Sequence, residues 1–199
     1  MDGRSARVVD GRRRVAAAIF ELVSETGALP SAAVLAKRAG VGRATVFRYF
    51  DGVQSLELEL ARMLRASMLD RHPFPTSQGD RRARLHAFVE HRAAVYELVT
   101  PVRCFIDAAR ARGNPDLDEL MAEAAFLLRQ NIATMFGPDC DGSPEMLRHL
   151  EVISSWEAWR SMRDGQMLSV SGAKRDLSAL LSLLLPGPAA STDAVAADR

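Results

Sequence analysis

Two cysteines in 199 residues, Cys104 and Cys140, are too few to staple a small secreted fold. Reduced thiols and a cytoplasmic location are therefore expected. No uninterrupted run of about 18 apolar residues occurs, so no membrane span and no membrane partner is expected. The arginine-rich opening from Met1 to Arg14 leads into charged, periodic sequence and not into an apolar stretch, so it does not read as a secretory signal. Alternating β-branched runs bounded by turns are missing, which excludes a sheet. Histidine is scarce: His72, His86, His91 and His149 show no metal-ligand spacing with each other or with the cysteines. His86 and His91 stand five apart, about 140° around a helix, and so on different faces. No phosphate-cradling glycine loop or nucleophile elbow is present, and Cys104 has no local nucleophile signature. No enzyme activity, cofactor or metal is expected.

What is present is ample apolar material, 48% of the residues, with 26% charged, which suits one or two folded domains. Net charge is +1 but unevenly placed. Of the 26 Lys/Arg, nine lie in residues 1–50, leaving 17; of the 25 Asp/Glu, four lie there, leaving 21. The first quarter is thus basic and the remainder mildly acidic, which points to an anionic partner at one end.

Apolar spacing and Gly/Pro punctuation predict an all-α chain of about nine helices. The first spans 11–26, with Val15, Ile19, Leu22 and Val23 on one face. Ser31 caps 32–39, Gly40 ends it, and a short helix follows over 43–49. An amphipathic helix covers 53–70. After the break at His72-Pro73-Phe74-Pro75, helices are predicted over 80–99 (stopped by Pro101), 102–112, 115–136, 144–165 and 172–185. This implies a flexible basic arm over 1–9, a small helical domain over 10–52, a connecting helix over 53–70, a larger helical domain over 71–186, and a disordered tail over 187–199.

The informative stretch is Leu35 to Phe50. Leu35, Ala36 and Ala39 form the inner stripe of one helix, and small Ala36 lets the next helix approach. Gly40 permits a left-handed turn residue. Val41 buries the turn. Val46 and Phe50, four apart, pin the second helix. Arg43, Ala44, Thr45, Phe47, Arg48 and Tyr49 are left on the outer surface or its edges, a mixture suited to reading a major groove. Arg43 can fork onto a guanine edge, and Ala44 and Thr45 can press a methyl against thymine. Lys37, Arg38, Arg48 and the Tyr49 hydroxyl suit phosphates, which position without specifying. The open backbone N–H groups of the helices starting at Ser31 and Val53 suit them too. Arg4 and Arg7 are minor-groove candidates, weighed against a solvated arm.

Residues of about 10–66 resemble the TetR family of transcriptional regulators. The match is carried by the preceding helix, the Ala-Gly-Val turn, and Arg-Ala-Thr-Val-Phe-Arg-Tyr-Phe where the family often has Arg-Ala-Thr-Leu-Tyr-Arg-His-Phe. Trp156 to Ser169 is similar to the family's penultimate helix and final turn. The LacI family shares the turn but places it at the extreme N-terminus of a longer α/β chain. Four positions depart from the family pattern. Gly42 stands for a capping residue, Phe47 for a Tyr whose hydroxyl commonly meets phosphate, Val53 for a commonly basic residue, and Ala33 for an occasional base-contacting Arg.

The resemblance implies a helix-turn-helix DNA-binding domain over 10–52 and a ligand-binding and dimerisation domain over 71–186, in a ligand-released repressor, a homodimer on a palindromic double-stranded operator, with an unidentified small-molecule effector. Half-sites about 34–36 Å apart also call for two-fold symmetry. The dimer candidates are Ile153, Trp156, Trp159, Leu177, Leu180, Leu181 and Leu184, because the last helix is apolar nearly all round. A buried terminal helix of a monomer is the alternative. Pocket candidates are Phe88, His91, Tyr96, Cys104, Phe105, Met121, Phe126 and Met135, each of which also suits plain core. Two rival functions stay open: a helical protein–protein adaptor, marked by the lack of salt-dependent DNA binding, and a small helical enzyme, marked by strongly perturbed titratable groups in a pocket.

Overall fold

The computed structural model describes residues 3–26, 30–49 and 52–185, and among them there are helices and no strand. The helices are α1 Gly3–Thr26, α2 Ala32–Ala39, α3 Arg43–Tyr49, α4 Val53–Arg71, α5 Arg81–Ala111, α6 Pro115–Phe136, α7 Pro144–Ile153, α8 Trp156–Arg160 and α9 Val170–Leu184. The all-α expectation holds. The arm expected over 1–9 does not stand apart from the first helix, since α1 begins at Gly3. The segment Ser5-Ala6-Arg7-Val8-Val9 carries no proline and nothing else that would interrupt the ladder. The predicted tail over 187–199 and the Phe50 pin lie outside the described residues.

The chain divides into two compact units, and they do not follow the expected linear partition. The first combines Met1–Pro73 with Val95–Ala125; the second combines Phe74–Ala94 with Phe126–Arg199. Both α5 and α6 therefore contribute residues to each.

In the first unit, α1 packs on α2, α3 and α4. Val15, Ile19, Leu22 and Val23 are buried, as the spacing required, together with Leu60, Ala61 and Leu64 of α4. Salt links support the outside of this core. The Arg38 guanidinium reaches Glu21 at 3.2 Å and Glu25 at 3.2 Å, tying α2 to α1. That pairing holds the Glu25 carboxyl below its usual range. On α4, the Glu57 carboxylate is only 2% exposed. It accepts from Arg112 at 2.5 Å and from the Asn114 amide at 3.2 Å, and the same amide donates to the Gln54 carbonyl at 3.3 Å. A buried carboxylate is tolerable because these donors replace its lost water. Asn114→Ala removes one donor from the buried Glu57 carboxylate and one from the Gln54 carbonyl, leaving Arg112 on Glu57, and is expected to cost about 1–3 kcal/mol. Urea unfolding, read as a fall in midpoint at unchanged slope, checks it.

Proline does not stop α5. The helix runs through Pro101, so the predicted boundary between 80–99 and 102–112 is absent. The ring removes one backbone donor, yet Val99, Val102 and Ile106 on either side are buried, and that packing outweighs the local cost. The Thr100 hydroxyl, just before the proline, donates back to the Tyr96 carbonyl at 2.5 Å.

In the second unit, Phe88 and Phe136 meet edge to face at 5.1 Å, and α7 packs on α9. The buried Arg92 lays its guanidinium 4.5 Å from the Phe88 ring centroid and donates to Asn131 at 3.2 Å. Arg81 and Arg84 close on Asp139 at 3.2 and 2.5 Å. The helix predicted over 144–165 is broken. The Ser154 hydroxyl turns back to the Leu150 carbonyl at 2.6 Å, and Ser155 takes an extended conformation and caps α8 through the Ala158 N–H. Two adjacent serines offer the backbone these alternatives to a continuing helix. A π-type turn, Ser161–Gly165, then leads towards α9.

Candidate nucleic-acid interface

The turn between α2 and α3 is built as its sequence requires. Ser31 caps α2 by accepting from the Val34 N–H at 3.4 Å. Gly40 closes it at φ 65°, a left-handed conformation that costs any L side chain, and its N–H bonds the Ala36 and Lys37 carbonyls. The Val41 N–H returns to the Ala36 carbonyl at 3.0 Å. Gly42 offers no side-chain cap, and its carbonyl opens α3 by accepting from Thr45 at 2.9 Å. Leu35, Ala36 and Ala39 are buried on α2, and Val46 on α3. The inner stripe is thus used up, and the remaining α3 side chains are left for the surface.

Arg43, Ala44, Phe47 and Arg48 are exposed, while Thr45 and Tyr49 are half-buried. Phe47 is the extreme, at 69% exposure for a fully apolar ring. The Arg48 guanidinium lies 5.8 Å from the Tyr49 ring centroid. On α2, Ser31 and Lys37 are exposed. Arg38, also exposed, has its guanidinium paired with Glu21 and Glu25 of α1. The side chains of Arg4, Arg7 and Val53 lie outside the described residues.

One contact escaped the sequence reading. Gly11, buried within α1, leaves room for Tyr49: a methyl placed on it would sit 2.1 Å from the tyrosine hydroxyl oxygen. The Tyr49 hydroxyl therefore lies against α1 instead of projecting away from it. A glycine inside a helical pattern marks such a close approach, and that was the available signal. Gly11→Ala should raise helix propensity by up to about 1 kcal/mol. The clash is expected to reverse the sign, for a net loss of about 1–2 kcal/mol, because overpacking costs about 1–3 kcal/mol. Thermal unfolding of Gly11→Ala, and its rescue by Tyr49→Ala, checks this.

The eight pocket candidates are shared between the two units. Tyr96, Cys104, Phe105 and Met121 belong to the first unit, and Phe88, His91, Phe126 and Met135 to the second. Phe88, Tyr96 and Met135 are core, His91 stacks on Phe74 at 5.3 Å, and Phe126 is exposed. Each unit instead carries an open groove that none of the eight lines. In the first, about 390 Å³ lies among Leu58, Arg62, Arg65, Leu69, Glu119 and Glu123. In the second, about 620 Å³ lies among Arg82, Leu85, His86, Lys174, Arg175 and Ser178. Grooves arise where helices diverge, and a one-dimensional pattern carries no sign of them.

The dimer candidates divide as well. Trp156, Trp159, Leu177 and Leu181 are buried within their own unit and are corrected to core, whereas Ile153 and Leu184 are half-buried and Leu180 is exposed. The exposed apolar residues of this region are Val152, Met167, Leu180 and Leu183, the last at 82%. Helical geometry explains the division. Ala173, Leu177 and Leu181 recur every four residues and share the inner face, Leu183 lies about 120° around the helix from Leu177 and faces outward, and Leu180 sits at the edge of the inner face. Burial and the charges of Asp139 and Asp141 push the Cys140 thiol up, away from nucleophile range. Among the described residues no group of three His, Cys, Asp or Glu side chains is placed to hold a metal ion.

Two solved structures resemble this one. A transcriptional regulator from Rhodococcus sp. Rha1 superposes with a TM-score of 0.67 at 22% identity, covering 87% of this chain and 95% of its own. The multidrug binding protein EbrR, solved with imidazole, superposes at 0.63 and 18% identity, covering 90% of this chain and 97% of its own. The chain shares the fold of both. No protein-family model matches the sequence, and no curated protein matches it. No helix of the described residues is long and apolar enough to cross a membrane.

Proposed function

We propose that this chain is a cytoplasmic, one-component transcriptional repressor of the TetR type, a homodimer that holds a palindromic duplex operator and releases it on binding a small molecule. The observation that carries the reading is α3 itself. A seven-residue helix is pinned by Val46 behind a left-handed Gly40 turn, and it presents Arg43, Ala44, Phe47 and Arg48 outward on the basic end of the chain. Such a surface offers a guanine-reading fork beside apolar contacts, with Lys37 and the cap at Ser31 available for phosphates.

The shared fold supports this, since one structural relative is a transcriptional regulator and the other binds drugs. The apolar residues Val152, Leu180 and Leu183, with half-buried Ile153 and Leu184, supply the dimer face. The effector acts through α4. The groove lined by Leu58, Arg62 and Arg65 lies on this helix, which follows the recognition helix after three residues, so an occupant favouring a different α4 position weakens operator binding.

Fluorescence anisotropy against the DNA upstream of the chain's own gene, and against a duplex selected from a random library, tests the reading. Binding that exceeds an unrelated duplex and weakens steeply with salt is expected. Salt-indifferent binding, or none to any selected duplex, would return the adaptor reading.

A further inference from the structure

The least explained feature of the outer face of α3 is a phenyl ring held in water. Phe47 is 69% exposed, although α3 has an inner face that Val46 occupies. Alanine at position 44 is also exposed and lies three residues earlier, so the two share one surface of the helix. Arg43 precedes Phe47 by four residues and lies on the same side. A phenyl ring has no donor or acceptor, so it cannot hold a phosphate or bond a base edge. What it can meet in a major groove is the apolar group displayed there, the 5-methyl of thymine. Thr45 was expected to take this role with Ala44, but Thr45 is half-buried. The methyl-reading surface therefore shifts from Thr45 to Phe47, two residues along α3.

We propose that Phe47, with Ala44 beside it, reads the 5-methyl group of one thymine in each half-site, close to the base that Arg43 contacts. This rests on the operator-binding reading above and names the base chemistry that the site selects. Where a hydroxyl on the ring would add a phosphate contact and so bind all sequences alike, its absence leaves a contact that discriminates between bases.

The test uses the full-length protein and a duplex selected by it from a random library. Each thymine is replaced in turn by 2′-deoxyuridine, which deletes the methyl and preserves pairing. At one thymine per half-site the replacement is expected to weaken binding about fourfold, the worth of one buried methyl group. At that thymine Phe47→Ala should bind the two duplexes equally, because the partner of the methyl is gone. Sensitivity to uracil at no thymine overturns the proposal, as does a Phe47→Ala variant that still distinguishes the two duplexes. Failure to select any duplex overturns the operator reading and this inference together, whereas a selected, salt-sensitive duplex that ignores the methyl overturns this inference alone. Phe47 is exposed, so its variant is expected to unfold like the parent protein, and the uracil series on the unmodified protein is independent of it.

Discussion

Arg43→Ala is expected to lower affinity for the selected operator by about 5- to 150-fold per half-site, while unrelated duplexes lose little, because a forked guanidinium–guanine pair is worth about 1–3 kcal/mol of discrimination. The geometry makes this residue the strongest candidate on the surface. It is the first residue of α3 and it is exposed. Of the other two arginines of the motif, Arg38 is paired with Glu21 and Glu25, and Arg48 lies beside the Tyr49 ring. Arg43→Lys separates the two possible roles. It keeps the charge but loses the fork, so sequence discrimination should fall nearly as far as in the alanine variant while the salt slope stays put. A loss that is equal on cognate and unrelated duplexes would instead make Arg43 a phosphate contact. Anisotropy titrations at two salt concentrations on both duplexes supply the comparison.

The second large effect concerns stability. Trp159 was a candidate for the dimer face, yet it is among the most deeply buried side chains. Its truncation to alanine should cost about 3–5 kcal/mol, since removing a buried aromatic leaves a cavity the surroundings fill only in part. For a chain of this length that corresponds to roughly 6–20 °C in Tm. Leu183→Glu is the counterpart. At 82% exposure, the leucine loses no core contact, so the fold of the single chain should change by within about 0.5 kcal/mol. If the α9 outer face is the dimer seam, the glutamate places two like charges across it and sedimentation shifts towards monomer. Thermal unfolding at two protein concentrations, paired with sedimentation velocity, reads both variants. A Trp159→Ala protein as stable as the parent would sink the core assignment.

The local order of this protein was legible in one dimension. Gly40 had to adopt a left-handed turn, Ser31 had to cap, and Leu35, Ala36, Ala39 and Val46 had to face inward, because propensity, capping and 3.6-residue spacing act over a few neighbouring residues and agree here. The end of α2 at Gly40 and the starts of α6 and α7 at Pro115 and Pro144 follow from the same short-range chemistry. Two boundaries were missed for different reasons. The helix continues through Pro101 since Val102 and Ile106 are buried around it, whereas the stretch after Pro144 breaks at Ser154-Ser155, where the serine hydroxyls bond nearby backbone although the apolar spacing continues.

The sites divide along the same line. The outward residues of α3 could be named from the pattern, because a two-helix motif leaves each residue one of two faces. The pairing of Arg38 could not, since Glu21 and Glu25 lie 17 and 13 residues away. The contact of Tyr49 with Gly11 spans a still longer stretch and depends on how α3 crosses α1. Leucine-rich α9 carried enough apolar residues for two faces, and only its placement beside α7 decided that Leu177 and Leu181 are core while Leu180 and Leu183 are surface. Periodicity assigns residues to stripes, but which stripe is buried depends on the neighbour that arrives to cover it, and that neighbour is chosen by tertiary packing.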